Sequence, residues 1–463
     1  MKIYKQLYPL LVIITLTVSI VGCEQSYLDQ KPNSGIIQPS TLEDFQGLLD
    51  NFSFMNQGFP ALPQLACDDY YFVSLDAWQS ARTAVERNSY VWDVDVYGGE
   101  VGIDDWNRPY ETIFYANSII DNIDKVNDRE SDIYRNIKGS AYFIRAFALF
   151  ELTKNYAAAY DETTAESDLG VPIKLTANID ELRPRSSVAA CYAQIVSDLA
   201  VSNTYLVDEK QEDKKNRPSK LAVYALAARV SLSMRHYEKA YEYADSALTI
   251  SDQLLDYNTL DQHTHTPFPV DNMETIFSAC LVGYSTIGYR SRNESINIDS
   301  MLMASYAADD LRPLVFFEHL PSGLFNLKTG YFGSGLSAFN GLAMDEVYLI
   351  KAECAARFGN TEESLGILNK LLLHRFKTDT FVPLTASNAV EVLELVKAER
   401  RKELVWRGLR WDDLKRYNKE GADITLERNL GDTQVRLLPN SPRWIFNIPH
   451  DEILRSDIIQ NER

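Results

Sequence analysis

The sequence has no apolar run long enough to cross a membrane. Its one extended uncharged stretch, Leu7 to Val21, falls short of the roughly 20 residues a spanning helix needs. No run of comparable length comes after it, so the body of the protein is expected to be soluble. CxxC pairs and Cys/His clusters are also missing, and the five cysteines lie far apart; a metal centre built on them is not expected. There is no G-x-S-x-G elbow, no HExxH and no P-loop, which removes the common hydrolase, zinc-peptidase and nucleotide sites. Nor is there a basic excess. A formal charge of −19 argues against nucleic acid, whose binding is driven by Lys and Arg neutralising phosphates. No cofactor is implied.

What is present begins at Met1. Lys2 and Lys5 precede the apolar run, which closes on Ile20-Val21-Gly22-Cys23. A basic start and an apolar centre make a secretory signal, and the small residues before a cysteine resemble a bacterial lipobox. Residues 1–22 are therefore expected to be removed and Cys23 to carry lipid; a plain secretory signal or a single-pass anchor are the alternatives. Losing Lys2 and Lys5 would take the charge to −21. Residues 23–40 are rich in Gln, Asn, Ser and Pro and read as a flexible tether, leaving 41–463 as the folded domain. An oxidising compartment would permit one disulfide among Cys67, Cys191, Cys280 and Cys354, but buried free thiols are the expectation.

Apolar and small residues at three- and four-residue spacing mark long helices. In Lys220–Ile250, Ala228, Ala240 and Ala247 have the spacing of a tetratricopeptide helix pair, in which small residues let two helices approach closely. Asp345–Leu373 repeats the theme with Ala352 and Ser364, Gly359-Asn360 forming the turn. Further helices are predicted over Trp106–Val126, Asn136–Tyr156, Ser187–Leu206 and Ala389 to about Arg407. The expected fold class is mainly α, with stacked helix pairs burying one another's faces.

The order of these segments resembles the SusD/RagB family of surface lipoproteins from Bacteroidetes. Tyr27-Leu28-Asp29 with Pro32, WNRPYETIFYAN from Trp106, GSAYFIRA from Gly139, Gly170-Val171-Pro172, RPSKLAVYALAA from Arg217, YLIKAECAARFG from Tyr348, ERRKELVWRGLRWDDLKRY from Glu399 and the closing Gln460-Asn461 are similar to its motifs. Two departures stand out: Arg407 precedes Gly408 where an acid is usual, and Arg455-Ser456-Asp457 replaces Asn-Pro. The resemblance implies a SusD-like fold of four tetratricopeptide-type helix pairs forming a superhelical scaffold, plus an irregular ligand lobe, mainly 60–105 and 255–341. It also implies a lipid-anchored protein on the extracellular face of the outer membrane, partnered with a SusC-like TonB-dependent transporter.

Candidate ligand contacts are suggested by composition. Sugar rings present apolar C–H faces to flat aromatic rings, while acids and amides bond the hydroxyls. Asp68-Asp69-Tyr70-Tyr71 combines both needs, and Trp78 and Arg82 would share a face if helical. In the second loop-rich stretch Tyr284, Tyr289 and Arg290 are the candidates. Trp106 belongs to a helix motif and reads as scaffold. The charged series from Glu399 to Arg416 and Asp310-Leu311-Arg312 read as structural, and His263 and His265 as a solvated loop. The leading function is non-catalytic capture of an oligosaccharide; a peptide ligand, as in RagB-like members, or a repeat scaffold binding only proteins are the alternatives. A surface glycosidase is disfavoured, because neighbouring acid pairs do not supply two carboxylates facing each other across a cleft.

Overall fold

The computed structural model describes residues 39–288, 293–333 and 337–463. It divides into two units, Met1–Ser40 and Thr41–Arg463. The signal, Cys23 and the tether up to residue 38 lie outside the described residues, as do Tyr289 and Arg290.

The second unit is mainly helical. Among the described residues nine helices have ten residues or more: α1 (Asp104–Ile120), α2 (Asp132–Tyr156), α3 (Val188–Tyr205), α4 (Lys220–Ser233), α5 (Tyr237–Ile250), α6 (Met344–Arg357), α7 (Thr361–Leu373), α8 (Ala389–Glu403) and α9 (Arg410–Lys419). Ser131, Ser187, Ser219 and Asn388 open α2, α3, α4 and α8 by accepting a first-turn N–H on the side-chain oxygen, which satisfies a donor the helix itself cannot. Among the described residues no helix is long and apolar enough to cross a membrane.

Two pairs form tight hairpins. Arg235 (φ 62°) turns α4 into α5 and Gly359 (φ 82°) turns α6 into α7. Ala228, Ala240, Ala247, Ala352 and Ser364 are all fully buried. The Ser364 hydroxyl donates to the Ala352 carbonyl at 2.7 Å, so the small residues mark a seam close enough for a side-chain-to-backbone bond. The α2–α3 pair differs, since residues 157–187 separate its helices. Here Gly139 makes the close approach: a Cβ on it would lie 2.8 Å from Leu206 Cγ and 2.9 Å from the Leu206 nitrogen.

Two helices stop earlier than predicted. Helix α1 ends at Ile120 before a separate 3-10 turn, Ile123–Lys125, and α8 ends at Glu403. Trp406 (φ 65°) and Gly408 (φ 66°) are left-handed, which a right-handed helix cannot accommodate.

The remaining chain contributes ten short strands among the described residues: β1 (Gln57–Phe59), β2 (Tyr70–Phe72), β3 (Thr275–Phe277), β4 (Cys280–Leu281), β5 (Ile296–Ile298), β6 (Phe317–His319), β7 (Phe325–Leu327), β8 (Leu342–Ala343), β9 (Leu426–Leu430) and β10 (Thr433–Leu437). They pair two by two: β1 with β4 in parallel, and β2–β5, β3–β8, β6–β7 and β9–β10 antiparallel. Most of them derive from the two predicted lobe stretches. Phe59 on β1 meets Phe147 edge-on at 4.8 Å and Phe277 on β3 meets Phe143 at 4.9 Å, so α2 is the surface on which these strands are seated. Cys67, Cys191, Cys280 and Cys354 are buried free thiols.

Candidate functional site

Strands β2, β5, β7 and β6 build one small surface. On the first three, one side is buried: Tyr70, Phe72, Ile296, Ile298 and Asn326 point inward. Alternation then sends Tyr71, Asn297 and Phe325 to the other face, and His319 of β6 joins them through its pairing with Phe325. Tyr71 stands opposite Asn297, and His319 opposite Phe325. The Asn297 amide joins the two ribbons, its Nδ2 donating to the Tyr71 hydroxyl at 2.8 Å while its Oδ1 accepts from the Phe325 backbone at 2.7 Å. Ser300 Oγ lies 3.3 Å from the same hydroxyl. The His319 and Phe325 rings stack with centroids 4.7 Å apart and planes 30° apart. The result is a strip of rings with hydroxyl and amide groups between them, held by protein–protein bonds before any ligand arrives.

Four of the predicted ligand contacts, Asp68, Asp69, Tyr70 and Tyr284, bond to groups within the protein. Asp68 accepts from Arg410 Nε and Nη2 at 2.8 and 2.9 Å and lies 3.2 Å from Arg401 Nη2. Burial alone would raise its carboxyl, but the two guanidinium groups overcome this and hold it well below the usual range. Asp69 is fully buried, its Oδ2 accepting from Gln64 Nε2 and the Trp406 backbone. Burial, reinforced by Asp68 beside it, pushes its carboxyl up. Tyr70 is buried against Trp406 and gives its hydroxyl to the Leu65 carbonyl. Tyr284 donates to the buried Asp105 at 2.6 Å. In all four the polar group has a partner inside the protein.

Trp78 is half-buried on the short helix Leu75–Gln79 and donates its ring N–H to the Arg87 carbonyl at 3.0 Å. Arg82 is exposed but lies beyond that helix, so the two do not share a helical face. Of the predicted contacts within the described residues, Tyr71 is the one in the strip. Sequence reasoning misses Asn297, Ser300, His319 and Phe325. Ser-Ile-Asn-Ile-Asp at 295–299 carries the period-two alternation of a half-buried strand, a signal that puts Asn297 outward.

Such internal bonding extends further. Arg428 on β9 is buried with no carboxylate partner among the described residues. It donates to the carbonyls of Ala66, Cys67, Tyr70 and Tyr90 and its guanidinium lies 4.2 Å from the Tyr90 ring centroid. Glu86 receives Thr83 on one oxygen and both Ser285 Oγ and the Thr286 backbone on the other. Asp105 accepts the Ala61 and Leu62 N–H groups as well as Tyr284. With no cation beside it among the described residues, burial pushes its carboxyl up to about 6.

Residues 26–232 match a SusD-like family described as starch-binding and associating with the outer membrane, and residues 344–452 match the SusD family. The chain belongs to the SusD family. SusD-like protein P38 of Formosa agariphila is 23% identical, over 74% of this chain and 79% of its own. Among solved structures, a SusD superfamily protein of Bacteroides thetaiotaomicron gives a TM-score of 0.73 at 22% identity, over 91% of this chain and 100% of that one. A SusD-like carbohydrate binding protein of Bacteroides vulgatus gives 0.69 at 20% identity, over 90% and 97%. These likenesses establish a shared fold. SusD-family proteins are nutrient-binding proteins associated with the outer membrane.

The SusD-type motifs are largely structural in this chain. Arg145 of GSAYFIRA grips Asp198 with two bonds, 2.8 and 2.6 Å, and Asn117 of the Trp106 motif with a third, locking α1, α2 and α3 together. Asn461 of the closing pair donates to the Tyr156 and Phe446 carbonyls. The charged series is a buried ion-pair network, as expected: Arg312 meets Asp310, Glu399 and Glu403, and Arg416 meets Glu353 and Asp413. The unusual Arg407 is buried and pairs with Asp345. His265 contacts Glu318 at 2.8 Å.

Proposed function

We propose that this protein is a non-catalytic capture protein which holds an oligosaccharide on the strip formed by Tyr71, Asn297, Phe325 and His319. A SusC-like TonB-dependent transporter would receive the ligand, with the chain anchored through Cys23 on the extracellular face of the outer membrane. Family membership supports the nutrient-binding role, and the strip supports the choice of ligand. Flat rings suit the apolar faces of pyranoses, and Ser300, Asn297 and Tyr71 suit their hydroxyls. The observation that carries the reading is the Asn297 amide tying Tyr71 to the Phe325 strand. It fixes the rings beforehand, so binding spends little on ordering them.

The test is calorimetric titration of the purified protein with a panel of oligosaccharides and, separately, peptides. Saturable binding of a glycan without change in its length is expected, weakened tenfold or more by Tyr71→Ala and by Phe325→Ala. Cleavage of a bound glycan at enzyme-like rates, or peptide binding with no glycan binding, would overturn it. The transporter assignment is tested by copurification from membranes: recovery without any TonB-dependent transporter counts against it.

A further inference from the structure

A second site lies away from the strip. Asp213, Lys215, Asp271, Met273, Thr275 and Ile276 are among the residues that line a cavity of about 210 Å³. Its floor includes Thr275 on β3, which is 3% exposed and whose hydroxyl has no hydrogen-bond partner among the described residues. A buried hydroxyl without a partner is costly and uncommon. Lys215 lines the same cavity. Its carbonyl is fastened by the Ser278 N–H at 2.7 Å, and its ammonium donates to the Gln211 carbonyl at 2.8 Å. That ammonium makes no ion pair among the described residues and keeps two N–H groups to give. Burial pulls its basicity below that of an ordinary lysine.

The charges choose the ligand. Lys210 and Glu212 neutralise one another at 2.7 Å. That leaves one ammonium, Lys215, and two carboxylates, Asp213 and Asp271, on the lining. An anion would meet the carboxylates and a cation would meet Lys215. A neutral molecule carrying several hydroxyls can accept from Lys215 and Thr275 and donate to Asp213 and Asp271 at once. Met273, Leu221 and Ile276 supply an apolar wall for its C–H groups. The volume is several times the roughly 30 Å³ of one water but below the roughly 300 Å³ at which sites for larger ligands begin. We propose that this cavity binds a single neutral sugar ring, independently of the strip, through Thr275, Lys215 and the facing carboxylates.

The experiment is saturation-transfer NMR and thermal shift on the purified protein with glucose, galactose, mannose and glucuronate, repeated on Thr275→Val, Lys215→Met and Tyr71→Ala. At least one neutral hexose should bind saturably and raise the melting temperature. Thr275→Val should weaken it tenfold or more while leaving the sugar-free melting temperature unchanged or higher, because the lost hydroxyl had no partner. Tyr71→Ala should leave hexose binding intact, so this outcome does not depend on the proposed function. Absence of saturable hexose binding would overturn the proposal. So would a Thr275→Val protein that binds like the parent, or tighter binding of glucuronate than of glucose. Hexose binding lost in Tyr71→Ala and kept in Thr275→Val would assign the sugar to the strip and reject the cavity.

Discussion

At the scale of single residues, Asp105 shows what burial does to a carboxyl that has donors but no cation. Its ordinary value is 3.8 and its folded value about 6. The folded state therefore holds this proton more tightly than the unfolded chain. Its stability contribution is intact below about pH 4 and is lost as pH rises through about 6. Asp105→Asn keeps the shape, since the amide oxygen can accept the Ala61 and Leu62 N–H groups and the amide N–H can face Tyr284. Between pH 4 and pH 7 the variant should gain up to about 3 kcal/mol relative to the parent, read from urea unfolding across that range; parallel pH curves would reject this account. Asp105 also shows why composition is a poor guide to which polar groups face outward. Acids and tyrosines crowd 60–105, and composition does not distinguish a group that meets ligand from one that meets Ala61. Asp68, Asp69, Tyr70 and Tyr284 stand out in sequence for having both chemistries, and that same pairing satisfies them internally.

At the scale of elements, the helices are the readable part. Spacing alone locates α4, α5, α6 and α7, because small residues at a close seam are a steric requirement visible in one dimension. The failures sit where the reason is not periodic. Spacing carries α8 on to Arg407, but the left-handed Trp406 (φ 65°) ends it for reasons that lie in its neighbours, the buried Asp69 and the Ile287 carbonyl. Strands three residues long, such as β6 and β7, are too short for alternation to stand out. Two predictions belong at this scale. Gly139→Ala should cost about 1–3 kcal/mol, because its Cβ would meet Leu206 backbone at 2.9 Å; a melting temperature within a degree of the parent would contradict the seam. Arg428→Met should take a side-chain donor from the carbonyls of Cys67, Tyr70 and Tyr90 and leave Ala66 with the Trp92 ring N–H alone. Faster amide exchange confined to residues 60–92 is expected, with the long helices unchanged. Uniform loosening would assign Arg428 a wider role.

At the scale of the whole molecule, buried ions join the lobe to the helices. Arg375, fully buried, reaches Glu274 next to β3 and Glu403 at the end of α8, and donates to the Leu255 carbonyl. Arg375→Met would leave Glu274 without its cation and Glu403 with Arg312 alone, a loss of about 3–5 kcal/mol, whereas Arg82→Ala at the surface should stay within about 0.5 kcal/mol. Guanidinium unfolding measures both, and comparable losses would refute the distinction. The network is legible as a charged series from Glu399 onward, since interleaved acids and bases on one helix need partners. Its reach to Glu274 is not, because nothing in sequence links positions so far apart.

One amide has a wider consequence. Asn297 sets how far the Tyr71 ring stands from the Phe325–His319 pair, and in the proposed site it would act as a ruler for the repeat distance of a bound polymer. Selectivity among chains of different linkage would then reside in a side chain that presents no ring of its own. Lengthening it by one methylene, Asn297→Gln, should reorder preferences across a panel of differently linked oligosaccharides while the melting temperature stays near the parent's. A uniform loss for every glycan would show that the ruler is only a brace.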